Sequence, residues 1–496
     1  MKSNQLIKGA ISAVVLLTLS GSLLWASMGG RPGKPNDVVR SYLLIANANE
    51  LPPQINGVVR AAGGKIVKKI PQIGVAVVES SDPYFTIRGG RAMTAIRSVV
   101  PNIMIDWLDE PDIVYDANNS TGGTPSEMYA VFQWGLDAID APEAWETGTR
   151  GAGVRVAVLD TGIYYDPDAD PPLHPDLAAN LNLDLAASFV PGEDWANPGL
   201  EGWHGTHVAG LIAAKDDPDD YGVIGVAPEA EIVPIKVMER KTGMGWLDWL
   251  VQGVIYAADN EADVINMSLS GRMRHKGHLY ENDPGNPDDD VWVSARQHSE
   301  LRLIMNRAMT YAHDAGATIV ASAGNSAENL DKDQDWLVWP AELRHVIAVS
   351  ATAPELWALY PDTDLDVPAS YTNYGRSAIH LAAPGGDKDK SFPPGGEGWT
   401  RVLFPPDTIY RPAFLFDYVF SCRPPDAWMW AHGTSQAAPH VSGVAALVIG
   451  KNGGSMDPGK VGFVLYKSAD DLGQRGHDPY YGSGRVNAYK AVTWGD

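Results

Sequence analysis

Ser435 lies in Ala431-His432-Gly433-Thr434-Ser435-Gln436-Ala437-Ala438-Pro439-His440, and Val444-Ala445-Ala446-Leu447-Val448-Ile449 follow it. Small and apolar residues in that run predict a serine in the first turn of a buried helix. There the unpaired amides and the positive end of the helix dipole favour negative charge developing beside the hydroxyl, which suits a nucleophile. A serine at a helix start also serves simply as a cap. Two upstream motifs bear on the choice. Val154-Arg155-Val156-Ala157-Val158-Leu159-Asp160-Thr161-Gly162-Ile163 is an apolar strand ending in a carboxylate and a glycine turn. His204-Gly205-Thr206-His207-Val208-Ala209-Gly210 opens a small-residue helix with a histidine. A serine hydroxyl hydrolyses an amide only if a base removes its proton as the oxygen attacks, so the three motifs are read together.

In the order Asp160, His204, Ser435 they resemble the triad of the subtilisin-like serine proteases, whose chain order distinguishes them from other triad hydrolases. The resemblance implies that His204 is the base that returns its proton to the leaving amine, and that Asp160 fixes the imidazole tautomer and stabilises its cation. Val320-Ala321-Ser322-Ala323-Gly324-Asn325 matches the motif that in this family aims an asparagine amide at the oxyanion, with the Ser435 N–H as second donor. By the same resemblance Gly243-Met244-Gly245 and Ser268-Leu269-Ser270 are the two edges between which an extended substrate binds. Ala321, Ser322 and Ala323 then close the primary pocket. The alternatives are ordinary strand ends and a structural asparagine. Three positions depart from the family: Ser270 replaces a glycine, Gln436 a methionine and His432 a serine. His207 and His440 read as packing residues, because the His-Glu-x-x-His metal pattern is absent.

The elements that must position these groups follow from hydrophobic patterning. Strands over 154–159, 231–237, 263–267, 318–323 and 345–350 alternate with helices, which predicts an α/β fold with a doubly wound, mostly parallel sheet. Residues 246–258 are apolar on most faces. In 300–313, Leu301, Ile304, Met305, Ala308, Tyr311 and Ala312 share one stripe at helical spacing.

Residues 1–27 begin with Lys2 and Lys8 and run apolar from Ala10 to Ala26, the pattern of an export signal cut after Ala26 or Ser27. An uncleaved anchor is the alternative. Strands over 42–45, 65–67, 75–78 and 103–105, with helices over 52–62 and 82–98, give β-α-β-β-α-β, a small ferredoxin-like α+β unit within 36–117. That unit resembles the inhibitory propeptide of many subtilisin-like proteases. The resemblance implies a folding aid whose C-terminal tail fills the cleft and which self-cleavage removes; a ferredoxin-like module with another partner is the alternative. A polar linker over 116–126 is a natural place for the cut, leaving 118–496 as the catalytic domain.

With 496 residues, 45% of them hydrophobic, the chain is long and apolar enough for a sizeable core. The single cysteine, Cys422, excludes a disulfide within the chain. A formal charge of -23 lies wholly beyond residue 117, since the first 117 residues are slightly basic. Such a surface repels nucleic acid and anionic membranes. The expected partners are polypeptide substrates and the propeptide, with no nucleic acid, no stable membrane association after signal cleavage, and a secreted, extracellular location.

Calcium is the ion that acidic loops of hard oxygen ligands suit. His174-Pro175-Asp176-Leu177 and the loop 215–222, with Asp219, are similar to the two parts of the family's high-affinity calcium site. Asp331, Asp333 and Asp335 alternate as in an EF-hand loop, but Trp336 takes the glycine position, and a solvated loop is the alternative. Insertions over 272–299 and 387–430 flank the cleft motifs and either set specificity or are passive loops. Two readings come from other classes: a pseudoprotease with a blocked cleft, which predicts no self-processing, and a calcium-dependent surface scaffold, which requires the chain to stay anchored through residues 10–26.

Overall fold

The computed structural model describes residues 38–87, 94–108, 115–116, 132–197, 202–216, 222–282, 286–333, 335–387, 399–404 and 407–495. The predicted export signal and nearly all of the predicted linker lie outside these residues.

The first unit comprises β1 (Arg40–Ala46), a helix over Ile55–Ala61, β2 (Lys65–Ile70), β3 (Val75–Ser80) and β4 (Ile96–Pro101). They form an antiparallel sheet in the order β2-β3-β1-β4. Side chains on a strand alternate between faces, and β1 uses both. Tyr42 and Leu44 pack with Ile55, Val59 and Phe85 inside the unit, whereas Leu43 and Ile45 join a core shared with the larger domain. The expected fourth strand is displaced. Residues 96–101, rich in β-branched side chains, pair with β1, so 96–98 are strand where a helix over 82–98 was expected. Residues 82–87 are not helical, and 88–93 lie outside the described residues. The expected strand over 103–105 is instead β5 (Met104–Asp106), which leaves its own sheet.

The chain continues through β6 (Tyr115–Asp116), β7 (Arg155–Asp160), β8 (Ala187–Ser188), β9 (Glu231–Lys236), β10 (Met244–Trp246), β11 (Val264–Met267), β12 (Gly271–Arg274), β13 (His278–Tyr280) and β14 (Val291–Val293). Then come β15 (Thr318–Ser322), β16 (Trp336–Trp339), β17 (Val346–Ala353), β18 (Val367–Pro368), β19 (Leu381–Pro384), β20 (Trp399–Phe404), β21 (Asp407–Pro412), β22 (Val419–Arg423) and β23 (Ala427–Ala431). The main sheet runs β18-β17-β15-β11-β7-β9-β8, with β19 beside β17. All its pairs are parallel except β17 with β18. The predicted doubly wound α/β architecture is therefore present, with all five predicted strands in it.

Burial on both faces explains the near-continuous apolar runs of these strands. Val156 and Val158 of β7 face a core formed with the helices Trp203–Ala213 and Thr434–Lys451. Ala157 and Leu159 face the opposite core, formed with the helices Leu247–Asp259 and Ala295–Asp314. The last of these begins with a capping box: Ser294 Oγ accepts from Gln297 N at 3.4 Å while Gln297 Oε1 accepts from Ser294 N at 2.9 Å.

Candidate active site

The carboxyl end of β7 delivers Asp160, and the helix Trp203–Ala213 begins beside it. Gly202 turns the chain into that helix at φ 79°, and a Cβ there would lie 2.7 Å from Asn197 Nδ2. Gly205 lets the helix close on the strand end, since a Cβ would sit 2.2 Å from the Gly162 carbonyl. Thr161 laces the two together, donating from Oγ1 to the Gly202 carbonyl at 3.0 Å and accepting there from Gly205 N at 3.3 Å. His204 is thereby held with Nδ1 2.9 Å from Oδ1 and 2.9 Å from Oδ2 of Asp160. Asp160 is 0% exposed and His204 4%. A proton on Nδ1 is the one arrangement that bonds the carboxylate, and it makes Nε2 the basic nitrogen.

Behind this pair sits a group that pattern reading passed over. Lys236 ends β9 fully buried, donates to the Thr161 carbonyl and pairs with Glu193 at 3.0 Å. Burial pushes its pKa down, against the Glu193 carboxylate, which raises it. A lone lysine closing the apolar run Ile232-Val233-Pro234-Ile235 was the available signal. His207 and His440 are packing residues as expected. Burial lowers their pKa values to about 3 and about 4, so both are neutral, and His440 Nδ1 bonds the Gln436 carbonyl at 2.8 Å.

Ser435 is the second residue of the helix Thr434–Lys451, which Gly433 starts at φ 146°. Its amide has no intrahelical acceptor at that position. Its Oγ donates to the Ser268 carbonyl at 3.2 Å. Asn325 is tied to the same helix start: its Oδ1 accepts from Thr434 N at 2.9 Å and from Thr434 Oγ1 at 2.8 Å. Thr434 Oγ1 in turn accepts from Gly324 N at 3.0 Å. With Oδ1 engaged, the Asn325 amide keeps Nδ2 as its donor end, and Asn325 is only half-buried. The histidine helix packs directly on the serine helix. Asp160 and His204 are thus joined by hydrogen bonds, and Ser435 and Asn325 share one helix start.

Both predicted edges are occupied by the chain's own segment. Met244, Gly245 and Trp246 pair antiparallel with Asp106, Ile105 and Met104. Trp107 N donates to the Gly243 carbonyl at 3.2 Å, and Trp107 Nε1 to the Gly245 carbonyl at 3.0 Å. From the other edge, Ser270 N donates to the Trp107 carbonyl at 2.8 Å, while Leu269 is buried in the core. Close approach explains the glycines: a Cβ on Gly243 would lie 2.8 Å from the Leu108 side chain, and one on Gly271 2.6 Å from Ile105 Cγ2. Ala321, Ser322 and Ala323 are fully buried at the end of β15. The chain reappears as β6, paired with Met429 and Trp430 of β23, just before Ser435. It therefore enters along the two edges and emerges beside the strand that leads to the nucleophile.

The described members of the predicted calcium sets, Asp176, Asp331, Asp333 and Asp335, each have protein partners. Asp331 accepts from Arg376 N at 2.6 Å, Ser377 N at 2.8 Å and Ser377 Oγ at 2.5 Å. Burial would raise its pKa, but these bonds outweigh it and hold the carboxyl below its usual value. Asp333 Oδ1 accepts from Asp335 N at 2.8 Å, and Asp335 pairs with Lys276. Each of these carboxylates is engaged by its own protein donor, the arrangement of the solvated-loop alternative. Among the described residues the one group with ligand-like spacing is His174, Asp176 and Cys422, all buried. There Asp176 Oδ2 accepts from Trp428 Nε1 at 2.7 Å, Val223 N at 2.8 Å and Cys422 Sγ at 3.9 Å. Both His174 nitrogens are engaged, Nε2 with the Ala427 carbonyl at 2.8 Å and Nδ1 with Asp176 N at 3.3 Å. Protein donors thus engage Asp176 Oδ2, and most of the loop 215–222 that would complete the predicted site lies outside the described residues. Asp219 lies outside the described residues.

Residues 151–484 match the sequence profile of the Subtilase family. Thermitase of Thermoactinomyces vulgaris is 28% identical over 376 residues, 75% of this chain and 100% of that protein. M-protease of Shouchella clausii is 32% identical over 389 residues, 78% of this chain and 76% of that protein. Among solved structures, the epidermin leader peptide processing serine protease of Staphylococcus aureus is similar with a TM-score of 0.68 at 20% identity, over 92% of this chain and 99% of that one. At that identity the likeness is one of fold.

Proposed function

Since the chain belongs to the subtilase family of serine endopeptidases, we propose that it hydrolyses peptide bonds through an acyl-enzyme on Ser435, with His204 as base and then acid. Asp160 holds the Nδ1 proton in place and stabilises the imidazolium. The oxyanion is received by Asn325 Nδ2 and the Ser435 N–H. No step runs through a metal ion.

Residues 36–117 are an inhibitory propeptide, and residues 1–27 direct export of a secreted zymogen. The observation that carries this reading is the strand Met104–Asp106 lying antiparallel on Met244–Trp246 while Ser270 grips the next residue, Trp107. A polypeptide substrate binds in the same extended form once the segment has left. Among the described residues no helix is long and apolar enough to cross a membrane.

Intact mass of the wild-type chain and of Ser435→Ala, each after a fluorophosphonate probe, tests this. Loss of the chain up to a point within 110–127 together with one probe adduct, both abolished by the alanine, is the expected result. A full-length, unlabelled wild-type chain overturns it.

A further inference from the structure

The insertion over 272–299 adds a grip on the tail that the two edges do not supply. Asn282, just beyond β13, is 6% exposed. Its Oδ1 accepts the backbone N–H of Met104 at 3.0 Å. Its Nδ2 donates to the Asp289 carbonyl at 3.2 Å, on the opposite arm of the same hairpin. That second bond fixes which end of the amide faces the tail. One residue earlier, the Ile103 carbonyl accepts from Leu247 N at 3.0 Å. Backbone contacts therefore run from Ile103 to Trp107, and Asn282 holds a point three residues to the amino side of Trp107.

We propose that Asn282 is a substrate-positioning residue. Once the propeptide has left, its Oδ1 accepts the backbone N–H of a substrate residue lying where Met104 lies, and the enzyme is tuned to long polypeptides that arrive already extended. The inference rests on reading the tail as a substrate-like occupant. A contact to backbone carries no side-chain preference, so what it selects is length and strand conformation. The same insertion also touches the propeptide body, where the Arg40 guanidinium donates to the Asp288 carbonyl. A clamp serving the propeptide alone is thus the competing role, and substrate kinetics separate the two.

The test uses the processed enzyme and three peptides: residues 102–126 of this chain, the same peptide begun at Asp106, and the long peptide N-methylated at the Met104 amide. The long peptide should have the higher kcat/KM, and loss of one neutral hydrogen bond predicts that N-methylation lowers its value about three- to tenfold, chiefly through KM. In Asn282→Ala the long-to-short ratio falls by that same factor, the Ile103 and Asn102 contacts remaining, and N-methylation has no further effect. Equal sensitivity to N-methylation in both enzymes, or no length effect in the wild type, overturns the proposal. If the wild type neither cleaves any peptide nor takes up fluorophosphonate, the protease reading itself fails, and this inference with it.

Discussion

His204 sets Nδ1 2.9 Å from each oxygen of Asp160, so one N–H is shared between both lobes of a carboxylate that is wholly buried. That geometry fixes ring and tautomer together. In Asp160→Asn the amide NH2 turns to Nδ1 and selects the opposite tautomer, leaving Nε2 without its lone pair for the serine. The expected loss in kcat is about 10⁴, a magnitude known from triad proteases including relatives in this family. The processing rate of the full-length variant checks it, and a loss under tenfold would sink the role given to Asp160.

In the proposed mechanism Asn325 does two jobs with its two amide ends, and one substitution separates them. Asn325→Asp keeps an oxygen for Thr434 N and Thr434 Oγ1. It replaces the donor that faces the oxyanion with an acceptor. Turnover falls by roughly 10² to 10³, the effect known for the corresponding donor in a relative of this family, while the melting temperature holds. Steady-state kinetics beside thermal unfolding measure both; equal loss of stability and activity would make the residue structural.

How much of this was legible beforehand depends on how local each signal is. Asp160, His204, Ser435 and Asn325 sit at element ends whose chemistry and hydrophobic period are written within about ten residues. Lys236 and Thr434 were missed because each acts through a partner distant in sequence, Glu193 and Asn325. The strand over 103–105 was assigned to the wrong sheet for a similar reason: pairing with Met244–Trp246 is a tertiary choice that alternation does not encode. The acidic runs were less legible, because charge pattern does not tell a carboxylate that binds a cation from one held by Ser377 or Lys276.

If residues 36–117 leave as proposed, Asp248 should make their release depend on pH. It is buried at the start of the helix Leu247–Asp259, where Oδ1 accepts from Asn102 Nδ2 at 2.6 Å and Oδ2 from Gln252 Nε2 at 2.9 Å. Burial pushes its pKa up to about 6, against the opposing hydrogen bonds from Asn102 and Gln252. Uncovered, the carboxyl returns towards the ordinary value near 4. Below about pH 4 it is protonated in both states and has no effect; between about 4 and 6 only the bound state holds the proton, so affinity falls as pH rises. Above about 6 both states are charged and the full penalty persists. The cut propeptide should leave about ten- to a hundredfold faster at pH 7 than at pH 4.5, followed by size exclusion, and Asp248→Asn should flatten that dependence. A pH profile unchanged in the variant would assign the effect elsewhere.

Asp176 predicts insensitivity to chelators. Its Oδ2 already accepts from Trp428, Val223 and Cys422, and burial raises the Cys422 pKa well above the usual thiol value, so the thiol stays protonated. A chelator should move the melting temperature by less than about 2 °C. Trp428→Phe, which strips one donor from a buried carboxylate, should cost about 1 to 3 kcal/mol. A large chelator-induced drop in the wild type, reversed by calcium, would show that an ion does hold this region.

Gly271 tests whether shape or charge holds the tail. Its φ lies outside the left-handed region, so alanine meets no backbone strain there. The difficulty is space: a Cβ would lie 2.6 Å from Ile105 Cγ2 and 2.8 Å from Trp107 Cε3. Ile105 and Trp107 are both buried, so the tail must shift as a body rather than flex at one side chain. In Gly271→Ala the cut propeptide should therefore leave faster at every pH by a constant factor, in contrast to Asp248→Asn, whose effect disappears below about pH 4. The two variants run side by side separate steric fit from protonation. If Gly271→Ala releases the segment no faster than wild type, Ile105 and Trp107 are not what holds the tail against this edge.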